Sequence, residues 1–267
     1  SDSTHTIKVA SFNLGGFGSY TGGNEYDRAL RFLEFVNEDK PDVLFLQEFH
    51  NVKYNKNKNI SDTLKKIYRN KAFSLLGSET DRLAGPVIFS KYPIIKKGII
   101  VGEGSGNGII YVDIKIKKDT IRCINVHLQS IGLKKELKIN RRDLEENQTE
   151  ALRKSKGIIS RLKNAFEMRS EQVDKLFVFL EKTSLRVILA GDFNDTQMSY
   201  SYRQTTEFLK DAFVESGSGL GNTYVGPFPS YRIDYIMLSE SMQSFNYKTH
   251  SSLGSDHKLI SSLIRYK

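Results

Sequence analysis

Hydrophobic positions along this chain come in short runs separated by turn-forming residues, and most of the runs have the period of a strand. Ile7 and Val9 alternate with Lys8 and Ala10, which predicts a first strand ending at Asn13, where a glycine-rich stretch begins. Residues 42–48 (DVLFLQE) and Val187 to Ala190 are continuous apolar runs of buried-strand type, the second broken by Gly191. Residues 73–76 and 85–90 predict two more strands. Ile110, Val112, Ile114 and Ile116 alternate with Tyr111, Asp113, Lys115 and Lys117, and Lys118–Asp119 turns that strand into a partner over 121–128. Residues 231–238 and the stretch after His257 supply the last strands.

Helical spacing appears between these runs. Ala29, Leu33 and Val36 predict a helix over 28–37, stopped by Pro41. The basic stretch 53–71 reads as a loop leading into a short helix near Leu64 and Ile67. Residues 133–183 hold Ile158, Leu162, Phe166, Val173, Leu176 and Leu180 at helical spacing and predict one long helix or two. A short helix is expected over 205–213, and the Gly- and Pro-rich residues 217–229 read as a long loop. Neither an internal repeat nor a linker divides the chain.

Composition narrows the picture. Forty Lys and Arg against 31 Asp and Glu give a net charge of +9, which favours anionic partners such as nucleic acid, phosphorylated small molecules or acidic membrane surfaces over a merely basic surface only when a site supports them. The single cysteine, Cys123, excludes an internal disulfide and a cysteine-rich metal site. No apolar run approaches the ~20 residues of a membrane span, and no signal peptide is evident. The expectation is a soluble domain, with any export signal or tether in a segment outside this chain.

Candidate chemistry sits where the strands end. Asp192 and Asn194 follow the run at 187–190 as an i, i+2 pair. In extended chain both point the same way, with Phe193 turned back to the core. Such a pair holds water, metal or phosphate, or simply closes an Asx turn. Asn13, Glu48 and His127 end other runs, and Asp256 and His257 precede the last strand. Asp234 lies among apolar neighbours, where a carboxylate needs a partner.

Taken in order, SFN at 11–13, PDVLFLQE at 41–48, GPVIFSKYPI at 85–94, NVHL at 125–128, GDFND at 191–195, RIDYI at 232–236 and SDH at 255–257 resemble the endonuclease/exonuclease/phosphatase superfamily. The resemblance runs across nearly the whole chain. It implies a single α+β domain over 1–267, a four-layer αββα sandwich of two mixed, mainly antiparallel sheets with outer helices, and it implies that the strand ends converge on one rim. It assigns Glu48, with Asn13 and Asp256, to a metal; oxygen donors suit Mg²⁺ or Mn²⁺. His257 is expected to hydrogen-bond the phosphate with Asp234 fixing its tautomer, and His127 to bind a phosphoryl oxygen or act as general acid. Asp192 would orient or deprotonate the attacking water, and Asn194 hold water or phosphate. The implied activity is metal-dependent hydrolysis of a phosphodiester or phosphomonoester by activated water, in a monomer without an obligate protein partner. The implied substrates are nucleic acid, a phospholipid headgroup or an inositol phosphate. The alternatives are a non-catalytic nucleic-acid or headgroup-binding module and a protein-interaction scaffold. Phe12 before Asn13, Leu14 after it, the absence of Trp and a histidine at 127 depart from the apurinic-endonuclease branch and resemble the deoxyribonuclease, sphingomyelinase and 5-phosphatase branches.

Overall fold

The alternation read above places two sets of side chains on opposite faces of each strand, so each sheet needs a cover on both sides. The computed structural model describes residues 5–17, 24–55, 58–69, 72–76, 84–102, 106–132, 148–226 and 230–267. The start of the predicted long helix (133–147), residues 227–229 of the Gly/Pro loop, and residues 56–57 and 70–71 of the basic stretch lie outside the described residues.

One six-stranded sheet has the order β13 (Met242–Thr249), β14 (Ile260–Tyr266), β1 (His5–Asn13), β2 (Val43–Phe49), β6 (Ala84–Ser90), β5 (Ala72–Leu76). The other has the order β11 (Lys210–Asp211), β12 (Asp234–Leu238), β10 (Arg186–Asp192), β9 (Asp119–His127), β8 (Gly108–Ile116), β7 (Ile94–Gly102). A small hairpin, β3 (Lys53–Asn55) with β4 (Lys58–Asn59), stands apart from both. Inner-face residues such as Ile7, Val9, Phe45, Ile88, Val112, Ile114, Ile188 and Ile236 form the core between the sheets. Outer-face Ala10, Phe12, Leu44, Leu46 and Phe89 pack beneath α1 (Glu25–Asp39) and α2 (Ile60–Ile67). Outer-face Ile124, Val126, Leu189 and Met237 pack beneath α3 (Gln148–Glu181). The architecture is the expected αββα sandwich. Among the described residues no helix is long and apolar enough to cross a membrane.

Local chemistry explains the helix limits. Asn24 caps α1, its side chain accepting from Asp27 N, and Lys40 closes it in a left-handed conformation just before Pro41. Among the described side chains of α3, the buried face runs from Ala165 through Arg169, Gln172, Val173, Leu176 and Leu180. The short helix expected over 205–213 is instead the junction between α4 (Tyr200–Thr206) and α5 (Ala212–Ser216), separated by β11. Ser199 and Asp211 start these helices as N-caps, a local hydrogen-bond choice that apolar spacing does not reveal.

Each sheet contains one parallel pair, β1 with β2 and β9 with β10, in an otherwise antiparallel ladder. Parallel neighbours end on the same side. Asn13 therefore pairs with Gln47 beside Glu48, and Asp192 pairs with His127. Antiparallel β12 starts where β10 ends, so Asp192 also pairs with Asp234. Strand β14 runs antiparallel to β1, so the residues preceding Ile260 return to the same rim. Topology alone gathers most of the candidate residues.

Gly191 makes the β9–β10 contact possible. It has φ +150°, and a β-carbon there would overlap the Val126 carbonyl of the neighbouring strand. Gly191→Ala is expected to destabilise the fold by about 3 kcal/mol or more through backbone strain and loss of this close approach. The check is urea denaturation, and a midpoint equal to that of the unmodified protein would refute it.

Candidate active site

A buried amide layer underlies the rim. Gln47 Nε2 donates to Asn125 Oδ1 (2.7 Å) across the two sheets, and Asn125 Nδ2 donates to the Leu46 and Val87 carbonyls (both 2.9 Å). These bonds tie β2, β6 and β9 together directly below the polar strand ends.

Glu48 reaches the rim through a break in alternation. The β2–β6 register shifts between Leu46 and Phe49, and Glu48 has φ +48°, uncommon for a residue with a side chain. Leu46 and Phe49 both enter the core beneath the helices, while the Glu48 carboxylate turns to the cleft and stays 29% exposed. Asn13 Nδ2 lies 3.4 Å from Glu48 Oε1 and 2.8 Å from Asp192 Oδ2. Its Oδ1 accepts from Gly15 N (2.9 Å), which fixes the amide with its NH₂ toward the carboxylates.

Asp192 closes an Asx turn with one oxygen and turns the other to the cleft. Oδ1 accepts from Asn194 N (2.7 Å), an Asx turn in which Asn194 has φ +51°. Oδ2 faces the cleft, accepting from Asn13 and from Asn194 Nδ2 (3.2 Å), with His257 Nε2 at 3.7 Å and His127 Nε2 at 3.9 Å. Phe193 turns into the core against Tyr235, as the i, i+2 pattern requires. Burial pushes the Asp192 carboxyl up to about 6; the nearby Asp234 charge adds to this, and His257, His127 and the Asn194 amide offset part of it.

His257 Nδ1 and Asp234 Oδ2 are 2.9 Å apart, both buried. Burial alone would lower the histidine, but the Asp234 and Asp192 charges and the Asp234 hydrogen bond outweigh it and raise the imidazole to about 10. Thr223 Oγ1 accepts from Asp234 N (3.1 Å), and the Tyr224 ring meets the His257 ring edge-on at 5.5 Å. Ser255 Oγ accepts from His257 N (3.1 Å) and donates to the Asn13 carbonyl (2.7 Å), seating the 255–257 turn on the end of β1. Asp256 is buried within that turn.

His127 faces the site from the other side. Its Nδ1 lies 3.3 Å from the Gly106 carbonyl and its Nε2 lies 3.3 Å from Asn107 Nδ2. A proton on Nδ1 satisfies both contacts and leaves Nε2 directed between Asp192 and Glu48, 3.8 Å from Glu48 Oε1.

Asn13, Glu48, His127, Asp192, Asn194, Asp234 and His257 thus form one connected set, with Asp256 next to it in the chain. Asn107, Thr223 and Tyr224 join them unannounced by the sequence. Asn107 sits in an irregular Gly-rich segment, and its place beside His127 follows only from the β8–β9 register, in which Gly108 faces His127.

Asp192, Asp234 and His257 bring ligand-type atoms within 4.8 Å of one another. Those atoms are already engaged: Asp234 Oδ2 with His257 Nδ1, and Asp192 Oδ2 with the Asn13 and Asn194 amides. The partly exposed Glu48 carboxylate has the donor chemistry of a hard, hydrated cation that keeps several of its waters.

A model of the Endonuclease/Exonuclease/phosphatase family matches residues 10–257, a span that contains every one of these side chains. No curated protein sequence matches the chain. Among solved structures, an endonuclease/exonuclease/phosphatase from Beutenbergia cavernae aligns with a TM-score of 0.66 at 14% identity, over 98% of this chain and 72% of that one. TDP2 from Caenorhabditis elegans aligns with a TM-score of 0.66 at 18% identity, over 97% and 74%. A Bacteroides vulgatus endonuclease/exonuclease/phosphatase aligns with a TM-score of 0.65 at 16% identity, over 98% and 100%. At these identities the likeness is one of fold.

Proposed function

We propose that this chain, which belongs to the Endonuclease/Exonuclease/phosphatase family, hydrolyses a phosphoester with activated water at its rim. The observation that carries this reading is Asp192 Oδ2. One buried carboxylate oxygen is held by two amides and faces two imidazoles across the cleft. Raised to about 6, Asp192 is mostly ionised at neutral pH yet basic enough to take a proton from water. Asn13 and Asn194 keep that oxygen aimed. His257, cationic and held by Asp234, donates a charge-assisted hydrogen bond to a phosphoryl oxygen. His127 would bind a second phosphoryl oxygen or act as general acid through Nε2, giving up its Asn107 contact to do so.

Glu48, with Asp256 and Asn13, would hold Mg²⁺ or Mn²⁺; Asn13 would contribute its oxygen only after its amide turned over. When bound, the ion stabilises negative charge on the phosphoryl and leaving oxygens. The basic chain favours anionic substrates. Nucleic acid, a phospholipid headgroup and an inositol phosphate all offer the required group.

Plasmid DNA, RNA, sphingomyelin and inositol phosphates, assayed side by side, are expected to reveal turnover of one class with Mg²⁺ or Mn²⁺. Excess chelator should abolish it and added metal restore it. Full turnover in chelator would refute the metal. Binding without turnover of any substrate would replace hydrolysis by a non-catalytic module.

A further inference from the structure

The long helix α3 carries two buried polar side chains that the chemistry above does not use. Arg169 is only 1% exposed, and Gln172, one turn further on, is also buried. As an i, i+3 pair they share the face turned to the second sheet. Arg169 Nε donates to Asp195 Oδ2 (3.1 Å), and Nη1 donates to the Gln129 carbonyl (3.0 Å), while the guanidinium lies 4.7 Å from the centre of the Phe166 ring. Gln172 Oε1 accepts from Gln129 N (2.9 Å), so one helix grips both backbone polar groups of Gln129. Asp195 is held further by Ser201 Oγ (3.2 Å), and its carbonyl accepts from Tyr235 OH (3.0 Å).

The gripped segments are two that leave the site. Gln129 lies two residues beyond His127, and Asp195 follows Asn194 directly. Between them the ladder continues past the strand ends. Leu128 N donates to the Asp192 carbonyl (3.0 Å), and the Leu128 carbonyl accepts from Asn194 Nδ2 (3.0 Å) and Asn107 Nδ2 (2.8 Å). Hydrogen bonds and the short backbone steps Gln129–Leu128 and Asp195–Asn194 together connect Arg169 to the segments carrying His127, Asp192 and Asn194.

Stability is a weak reason for such an arrangement. Burying a guanidinium is costly, and apolar groups of equal volume often serve as well or better. What an apolar group lacks is a rigid fork whose donors span a carboxylate on one segment and a carbonyl on another.

We propose that Arg169, assisted by Gln172, is a positioning residue that sets His127 against Asp192 and Asn194, making α3 part of the catalytic architecture as well as the cover of its sheet. The kinetic consequence rests on the phosphoester-hydrolase reading; the geometric one does not.

Arg169→Lys keeps the charge and loses the fork. In the full chain it is expected to shift the NMR signals of the His127 ring nitrogens and the Asn194 side-chain amide, with those of His250 unmoved. It should lower kcat by about 10- to 100-fold, the scale of an ångström-sized misplacement, with KM within about twofold. In a His127→Ala background the same change should cost under about threefold, because the group it positions is gone. Gln172→Met, which removes only the Gln129 N–H acceptor, should give smaller changes of the same kind and serves if Arg169→Lys fails to fold. Unmoved His127 and Asn194 signals in a folded variant overturn the proposal, as does a kcat loss that persists in full without His127. If the unmodified protein turns over no phosphoester, the functional reading fails, and the signals alone decide whether α3 positions the rim.

Discussion

Glu48→Gln is expected to reduce metal-dependent turnover on the order of 10³-fold while leaving the fold in place. The change removes one charge and no volume. The backbone at Glu48 already takes an unusual left-handed conformation to bring this side chain out of the sheet face and into the cleft, and glutamine occupies the same position. The loss comes from charge. A neutral amide oxygen binds a hard divalent cation far more weakly than a carboxylate, and losing one group that stabilises transition-state charge costs about 10²- to 10³-fold in comparable sites. Asn13 would lose one of the two carboxylates its NH₂ faces, so some loosening around Asp192 adds to the effect. Three measurements check this: kcat/KM against Mg²⁺ concentration, Mn²⁺ affinity by calorimetry and the thermal midpoint. Unaltered Mn²⁺ affinity and undiminished, chelator-sensitive turnover would remove Glu48 from the metal.

Much of this site was legible in the sequence because its residues terminate strands. A buried strand announces itself by its apolar run, as at 42–48 and 187–190, and a polar residue at its end must emerge at a rim. The resemblance to the superfamily then said that the rims coincide. Elements with weak patterns stayed hidden. Strand β7 is an edge strand in which Lys96, Lys97 and Gly98 interrupt the apolar positions and most side chains face solvent. Strand β13, also at an edge, carries a register shift between Phe245 and Lys248 that breaks its alternation. Residues that act through long-range contacts were equally silent. In sequence, Arg169 is one more charge on a charged helix; only the fold brings it to Asp195 and Gln129, 26 and 40 residues away. Spacing predicted that Glu48 would emerge at the rim, but its aim toward Asn13 and His127 depends on a bulge that no pattern displays.

Asp234→Asn is expected to lower kcat by up to about 10⁴-fold, the loss seen when the carboxylate orienting a catalytic imidazole is replaced by an amide. Asp234 Oδ2 accepts from His257 Nδ1 at 2.9 Å, with both groups buried. The carboxylate does two things there. It fixes the ring so that Nε2 faces the cleft, and with Asp192 it overcomes the effect of burial to keep the imidazole cationic up to about 10. An asparagine at 234 retains the shape and loses the charge, so burial prevails and the alkaline limb belonging to His257 moves to lower pH. Substrate affinity should fall less than turnover, because the misheld donor matters most as charge builds on the phosphoryl oxygens. The same shift carries a stability signature. The folded-state value lies above the ordinary histidine value near 6.5, so the pair's stabilisation is fully present below about pH 6.5 and declines as pH rises toward about 10. In Asp234→Asn that decline should flatten, with the variant closest to the unmodified protein at the alkaline end and furthest from it in mild acid. Stopped-time assays from pH 5 to pH 10, paired with urea midpoints over the same range, test both halves. A folded variant with the same turnover, the same alkaline limb and a parallel stability curve would reduce Asp234 to a turn-capping residue and leave His257 without the partner its charge requires.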